Sequence, residues 1–325
     1  MSERVDRRLV LRRLAGAGIV LGGSGGLAWL GLASRGRFQP APPARAVRDH
    51  RVAEEASRPL LVVARGSDPT AMVTAALAGL GGMARFVKRG ETVLVKPNMA
   101  WDRTPEQGAN THPDVVAEVV RQCRAAGAAR VIVTDNPVHD AGRVAVRSGI
   151  ASAASAAGAE LLSAAGATFA PVAIGGVVLS SWDVLAAVLQ ADRLINVPVV
   201  KHHSLSRLTC GLKNHMGLLG GNRGRLHQEI HASVVDLAAA FRPTLTVVDA
   251  TRVMLRNGPT GGRLDDLKAV NAVAAGTDAV ACEAWAARQL GLDPFDVPSI
   301  VQAEGRGLGR VAAGVGPVTE VGAGA

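Results

Sequence analysis

Residues Lys201–His231 read KHHSLSRLTCGLKNHMGLLGGNRGRLHQEIH and concentrate the groups that bind anions or metals, or change protonation state, near neutral pH. Five of the eight histidines lie here: His202, His203, His215, His227 and His231. So do Lys201 and Lys213, in a chain that carries its positive charge almost entirely on arginine. His227 and His231 stand four apart, which on a helix puts both imidazoles on one face. With His203 or His215 as a third nitrogen they form a candidate divalent-metal site. The plainer alternative is that His227 faces a site and His231 does not. The order is not that of the H-E-x-x-H zinc proteases, so proteolysis is not implied.

The same stretch supports a second chemistry. Gly217–Arg225, GLLGGNRGR, can present backbone N–H groups to an anion, with Arg223 and Arg225 adding charge. The alternative is a glycine loop with solvated arginines. Lys201 beside two histidines is crowded by like charge, which favours neutral imidazoles or a lowered lysine pKa. Groups tuned this way serve as general acids and bases.

The elements that must position these groups alternate. Leu60–Ala64, Thr92–Lys96, Arg130–Thr134, Arg193–Val200, Leu245–Asp249 and Val270–Ala274 read as strands, apolar throughout. Between them, residues 71–80, 112–126, 143–157, 226–241 and 278–290 carry helical patterns. Apolar strands alternating with helices predict an α/β fold: a mostly parallel sheet with helices on both faces, in a single large domain over residues 59–325. In such sheets ligands bind beyond the carboxyl ends of strands. Several strands here end in polar residues: Lys96-Pro97-Asn98, Asp135-Asn136, Lys201-His202-His203 and Asp249. These tails are expected to converge on one crevice, with Asp249 the carboxylate that enters it. Asp278, at a helix start, reads as an N-cap.

Taken together these segments resemble the DUF362 domain proteins, a family named for its unknown function. The resemblance rests on Val95-Lys96-Pro97-Asn98, Thr111-His112-Pro113, Lys201-x-His203, Gly211-Leu212-Lys213-Asn214 with Gly217, and His227. It continues through Asp249, Asn257-Gly258-Pro259 and Gly276-Thr277-Asp278-Ala279-Val280-Ala281. Many members carry a ferredoxin-like segment with cysteines spaced for iron–sulfur clusters. Here Cys123, Cys210 and Cys282 form no such spacing, so no iron–sulfur cluster is encoded and the resemblance is to shorter, exported members.

The N-terminus reads as an address. Arg7-Arg8 precede apolar Val10 and Leu11 and basic Arg12, and an uncharged glycine-rich run follows to Ser34. This pattern predicts a twin-arginine signal or an uncleaved anchor over residues 1–34. A Pro-, Arg- and Ala-rich tether would follow over 35–58. The implied partners are the Tat export machinery, a small anionic ligand and a redox partner protein, with membrane contact only through the N-terminal segment. A net charge of +9 suits an anionic partner. With aromatics at 3% and no recognition motif, nucleic acid is not expected.

The sequence therefore points to an exported enzyme of unassigned reaction acting on a small anionic substrate or cofactor. Lys213, His227, Lys201 and Asp249 would carry acid/base chemistry. Lys96, Asn98, His203, Asn214, Arg223 and Arg225 would bind the ligand, and His203, His227 and His231 would hold any metal. The alternative is a non-catalytic protein holding a metal or anionic cofactor for a redox partner.

Overall fold

The computed structural model describes residues 45–316 and 318–323, within one compact unit that begins at Ala44. The signal-like segment and the first part of the expected tether lie outside the described residues. Among the described residues thirteen strands follow in chain order. They are β1 (Arg45–Ala46), β2 (Leu61–Arg65), β3 (Thr92–Pro97), β4 (Arg130–Asp135), β5 (Glu160–Ser163), β6 (Phe169–Ala173) and β7 (Ser181–Leu185). Then come β8 (Arg193–Val197), β9 (Val199–His203), β10 (Arg207–Thr209), β11 (Leu245–Met254), β12 (Leu267–Gly276) and β13 (Thr319–Gly322).

The main sheet has the order β13-β2-β12-β11-β8-β3-β4-β5, with the β9–β10 hairpin attached to β11. Strands β11, β8, β3, β4 and β5 are mutually parallel, while β12 runs antiparallel to both its neighbours. The mostly parallel α/β sheet expected from the strand pattern is present. Its burial explains why the strands read as apolar throughout. Val93 and Val95 point into one core and Leu94 into the other. Val62 and Ala64 likewise face the core opposite to Leu61 and Val63. Alternate side chains enter opposite cores because successive side chains of a strand face opposite ways, and both faces are covered. Helices Pro69–Gly79 and Pro113–Ala125 cover one face; Ile230–Phe241, Ala279–Gln289 and Pro298–Gly305 cover the other.

From β3 the chain moves outward through β4 to β5, then returns to lay β8 on the opposite side of β3. That reversal splits the loops above β3 and β8 and opens a crevice at their carboxyl ends, where open α/β sheets bind ligands. Pro198 interrupts the strand that leads to the crevice residues Lys201 and His203. The single strand expected over 193–200 divides there into β8 and β9, because proline cannot donate to the ladder. Its carbonyl still accepts from Asp249 N at 2.8 Å.

Two other stretches differ from their expected form. The helix expected over 143–157 is two short helices, Ala141–Arg147 and Ile150–Ala156, separated by Gly149 in the left-handed region. Part of the expected tether is packed. Arg45 and Ala46 pair with β6, and the buried His50 accepts from Thr244 Oγ1 at 2.7 Å through its carbonyl. A two-residue edge strand leaves no periodicity to read.

Candidate active-site crevice

Above the switch point lies a cavity of about 400 Å³ lined by groups from β3, β4, the β9–β10 hairpin and residues 213–227. That is within the usual range for a small-molecule site. Its cationic side chains are Lys96, Lys201, Lys213 and Arg223, against one carboxylate, Asp135.

Lys96 extends from the end of β3 and is fully engaged. Its Nζ lies 2.7 Å from Pro97 O, 2.9 Å from Asn214 Oδ1 and 2.9 Å from Asp135 Oδ1. An ammonium has three N–H donors, so none is left for a ligand. Burial pushes its pKa down against the pull of Asp135. Asp135 Oδ2 also accepts from Met99 N at 2.7 Å, tying β4 to the turn after β3. Gly217 covers this pair. A Cβ there would fall 1.8 Å from Asp135 Oδ1 and 2.7 Å from Lys96 Nζ, which gives the glycine of that motif a steric reason.

Asn214 is the hub of the network. Its Oδ1 accepts from Lys96 and, at 3.2 Å, from Asn98 Nδ2. Its Nδ2 donates to Lys96 O at 3.1 Å and to Asn196 Oδ1 at 2.8 Å. Asn214 can reach β3 because it ends the short helix Gly211–Asn214, which starts against the buried Glu283 carboxylate. Leu212 N donates to Glu283 Oε2 at 2.9 Å. Burial pushes the Glu283 carboxyl up to about 7.

Lys201, on β9, donates to Asn98 Oδ1 at 3.0 Å and to the Ala109 carbonyl, and lies 5.9 Å from the centre of the Trp101 ring. Desolvation, then the charge of Lys213, holds its pKa well below the usual lysine value. Lys213 differs from both other lysines. It faces the cavity with no hydrogen bond or ion pair to any described residue, and desolvation followed by repulsion from Arg223 and Lys96 lowers its pKa to about 8.

The two cavity histidines are near-parallel, their ring centres 5.8 Å apart. His203 Nδ1 accepts from Leu205 N and Ser206 N at 3.1 and 3.2 Å, so its proton sits on Nε2. Burial and the Lys213 charge push its pKa down to about 3. His227 Nδ1 faces the Gly224 carbonyl at 3.2 Å and must donate there, which leaves its Nε2 lone pair available.

The structure thus brings Lys96, Asn98, Lys201, His203, Lys213, Asn214, Arg223 and His227 to one cavity. It places three expected site residues elsewhere. Asp249 lies inside β11, which runs on to Met254, so it is not a strand-end residue. It is buried, accepting from His112 N at 2.7 Å and from Thr251 N and Oγ1, and anchors the helix that starts at Pro113. Arg225 is exposed and borders a separate shallow groove. His231 does not line the cavity. The expected helix face joining it to His227 is not formed: residues 223–229 are 3₁₀, Glu229 has φ −132° and ψ 55°, and the α-helix begins at Ile230. Among the described residues no group of three or more His, Cys, Asp or Glu converges on a metal position. His203 is further disfavoured as a ligand because its two backbone donors keep the proton on the nitrogen that faces the cavity.

The expected glycine-loop nest is only partly occupied by the protein itself: the N–H groups of Gly221 and Asn222, which line the cavity, donate to no acceptor among the described residues. Those of Leu219, Gly220, Arg223 and Arg225 donate to backbone carbonyls. Arg223 instead clamps the loop, donating to the carbonyls of Asn136, Pro137 and Met216. His215 is core, stacked on Phe241 at 5.6 Å. Asp278 caps its helix, accepting from Ala281 N at 2.8 Å. The sequence reading missed Asn196, Trp101 and Thr209. Only Trp101, a rare aromatic just past the Lys96 tail, offered a signal.

Residues 93–288 match the family model described as a domain of unknown function, DUF362. The chain belongs to this family. The match spans β3 through the helix Ala279–Gln289, and so contains every cavity group described above. The chain is also 29% identical over 246 residues to a thylakoid-associated protein of Synechocystis sp., covering 73% of this chain and 74% of that one. Among the described residues no helix is long and apolar enough to cross a membrane.

Proposed function

We propose that this DUF362 protein is an enzyme that binds a small anionic substrate or cofactor in the crevice, with Lys213 and His227 acting as acid and base. The observation that carries this is the state of Lys213: an amine with no partner among the described residues, facing a cavity whose cations outnumber its carboxylate four to one. A half-buried charge without a partner is still costly, so such an amine is kept for something that arrives. His227 complements it with a lone pair on Nε2 beside the same space. Lys96, Asn98, Asn214 and Asn196 form the rigid floor that fixes both walls, and Trp101 supplies an apolar side.

An amine-selective acylating reagent applied near pH 8, followed by peptide mapping, tests this reading. Lys213 is expected to label ahead of the exposed Lys88, and phosphate or a dicarboxylate is expected to protect it. Labelling of Lys213 no faster than Lys88, or untouched by every anion, would count against the site. We also propose export by the twin-arginine route on Arg7-Arg8, a reading supported by the signal-like pattern.

A further inference from the structure

The polar atoms lining the cavity divide into those already satisfied and those with capacity left. Lys96 and Asn214 are satisfied, Asp135 Oδ2 accepts from Met99 N, and Asp135 Oδ1 is held by its ion pair with Lys96 without a well-aligned hydrogen bond. Donors that remain are Lys213, the Nε2–H of His203, the remaining N–H groups of Arg223, Asn98, Asn136 and Asn222, and the backbone N–H of Gly221. Acceptor capacity lies in His227 Nε2, in the side-chain oxygens of Asn136 and Asn222, and in Thr209 Oγ1, which is buried without a hydrogen-bond partner among the described residues. A bare oxyanion would serve the donors and leave His227 unmatched. The two imidazoles, however, are neighbours of opposite polarity: His203 offers a proton and His227 a lone pair across near-parallel rings 5.8 Å apart. A single hydroxyl group, which both accepts and donates, satisfies the pair. Lys213 lies close enough for its charge to act on both rings.

We infer that the ligand is a hydroxylated oxyanion whose O–H is seated between His203 and His227 while its charged oxygens face Lys213. This rests on the anion reading of the crevice and narrows it to one chemical class. An O–H bound in this way donates its proton toward His227 Nε2, the atom best placed to remove it, while His203 Nε2–H faces the oxygen. At about 400 Å³ the cavity exceeds the needs of a free inorganic ion, which favours an organic member of the class.

Two measurements on the full chain test it. Long-range ¹H–¹⁵N spectra of histidine-labelled protein read ring tautomers directly. His203 is expected to carry its proton on Nε2 and His227 on Nδ1; the opposite tautomer at either ring overturns the inference. Calorimetric titrations would then compare 2-hydroxybutanoate, 3-hydroxybutanoate, butanoate and inorganic phosphate. One hydroxybutanoate is expected to bind at least about tenfold more tightly than butanoate, because the deoxy compound leaves buried polar groups unmatched. His227→Gln, whose amide is not a base, is expected to reduce that preference. Equal binding of all three carboxylates overturns the hydroxyl assignment but leaves the anion site standing. Phosphate binding alone supports the shared chemistry, since hydrogenphosphate carries its own O–H, and identifies the free ion as its source. No binding of any probe, with Lys213→Met unchanged in every titration, overturns the anion reading itself.

Discussion

Replacing Lys213 by methionine is expected to stabilise the protein, whereas the same change at Lys96 is expected to cripple it. An amine held at about 8 instead of its usual 10.5 carries a charging penalty of roughly 3 kcal/mol at pH 7. Water in the open cavity screens part of it, so the expected gain for Lys213→Met is about 1–2 kcal/mol. Lys96 has three oxygens within 2.9 Å, one of them on the buried Asp135. Removing the amine strands that carboxylate, which typically costs about 3–5 kcal/mol. For a domain of this size that is a fall of roughly 6–20 °C in Tm. Chemical denaturation with circular dichroism measures both. The Lys213 effect also has a pH signature. Its folded pKa is depressed, so between about 8 and 10.5 the unfolded chain binds more protons and wild-type stability rises with pH. The gain of the methionine variant is therefore full below about pH 8 and fades toward 10.5. A Lys213→Met protein that loses stability as Lys96→Met does would refute the division into an engaged and an unpartnered lysine.

Other outcomes follow from the same geometry. Gly217→Ala drives a methyl into the Lys96–Asp135 pair and is expected to cost about as much as breaking it, roughly 3–5 kcal/mol by denaturant titration. His215, fully buried with its pKa pushed down to about 4, charges in the unfolded chain before the folded one, so it lowers stability as pH falls from about 6.5 to 4. His215→Phe, which keeps an aromatic ring against Phe241, is expected to gain about 3 kcal/mol relative to wild type across that window. Asp249→Ala removes the acceptor of three hydrogen bonds and is expected to destabilise by about 3 kcal/mol while leaving the anion affinity of the folded protein unchanged. Replacing Arg7-Arg8 by Lys-Lys is expected to hold the full chain in the cytoplasm, as read by cell fractionation.

Much of the fold was legible because the sheet is buried on both faces: runs such as TVLVK and RVIVT have few other uses. The position of the crevice followed from strand-end polar residues. What could not be read was capacity. Lys96 and Lys213 look alike in sequence, and only the oxygens around each show that one is a floor and the other a wall. Asp249 was misplaced because β11 continues five residues beyond it. His231 failed for a similar reason: the i, i+4 spacing counts only if the helix begins early enough, and Glu229 breaks it. In the glycine loop, sequence does not show which N–H groups already have carbonyl partners, as that of Gly220 does, and which, like those of Gly221 and Asn222, do not. Asn196 was hidden as one polar residue inside an apolar strand.

The central claim, that the crevice holds an anion through Lys213, is tested most directly by anion-dependent thermal stabilisation. Wild type and Lys213→Met would be melted side by side in chloride, phosphate, dicarboxylates and hydroxycarboxylates at matched ionic strength. The account predicts that at least one oxyanion raises the Tm of wild type, rising with concentration as binding to the folded state requires. The variant, more stable in chloride, should show little of that rise. Equal stabilisation of both proteins, or of neither, would contradict it.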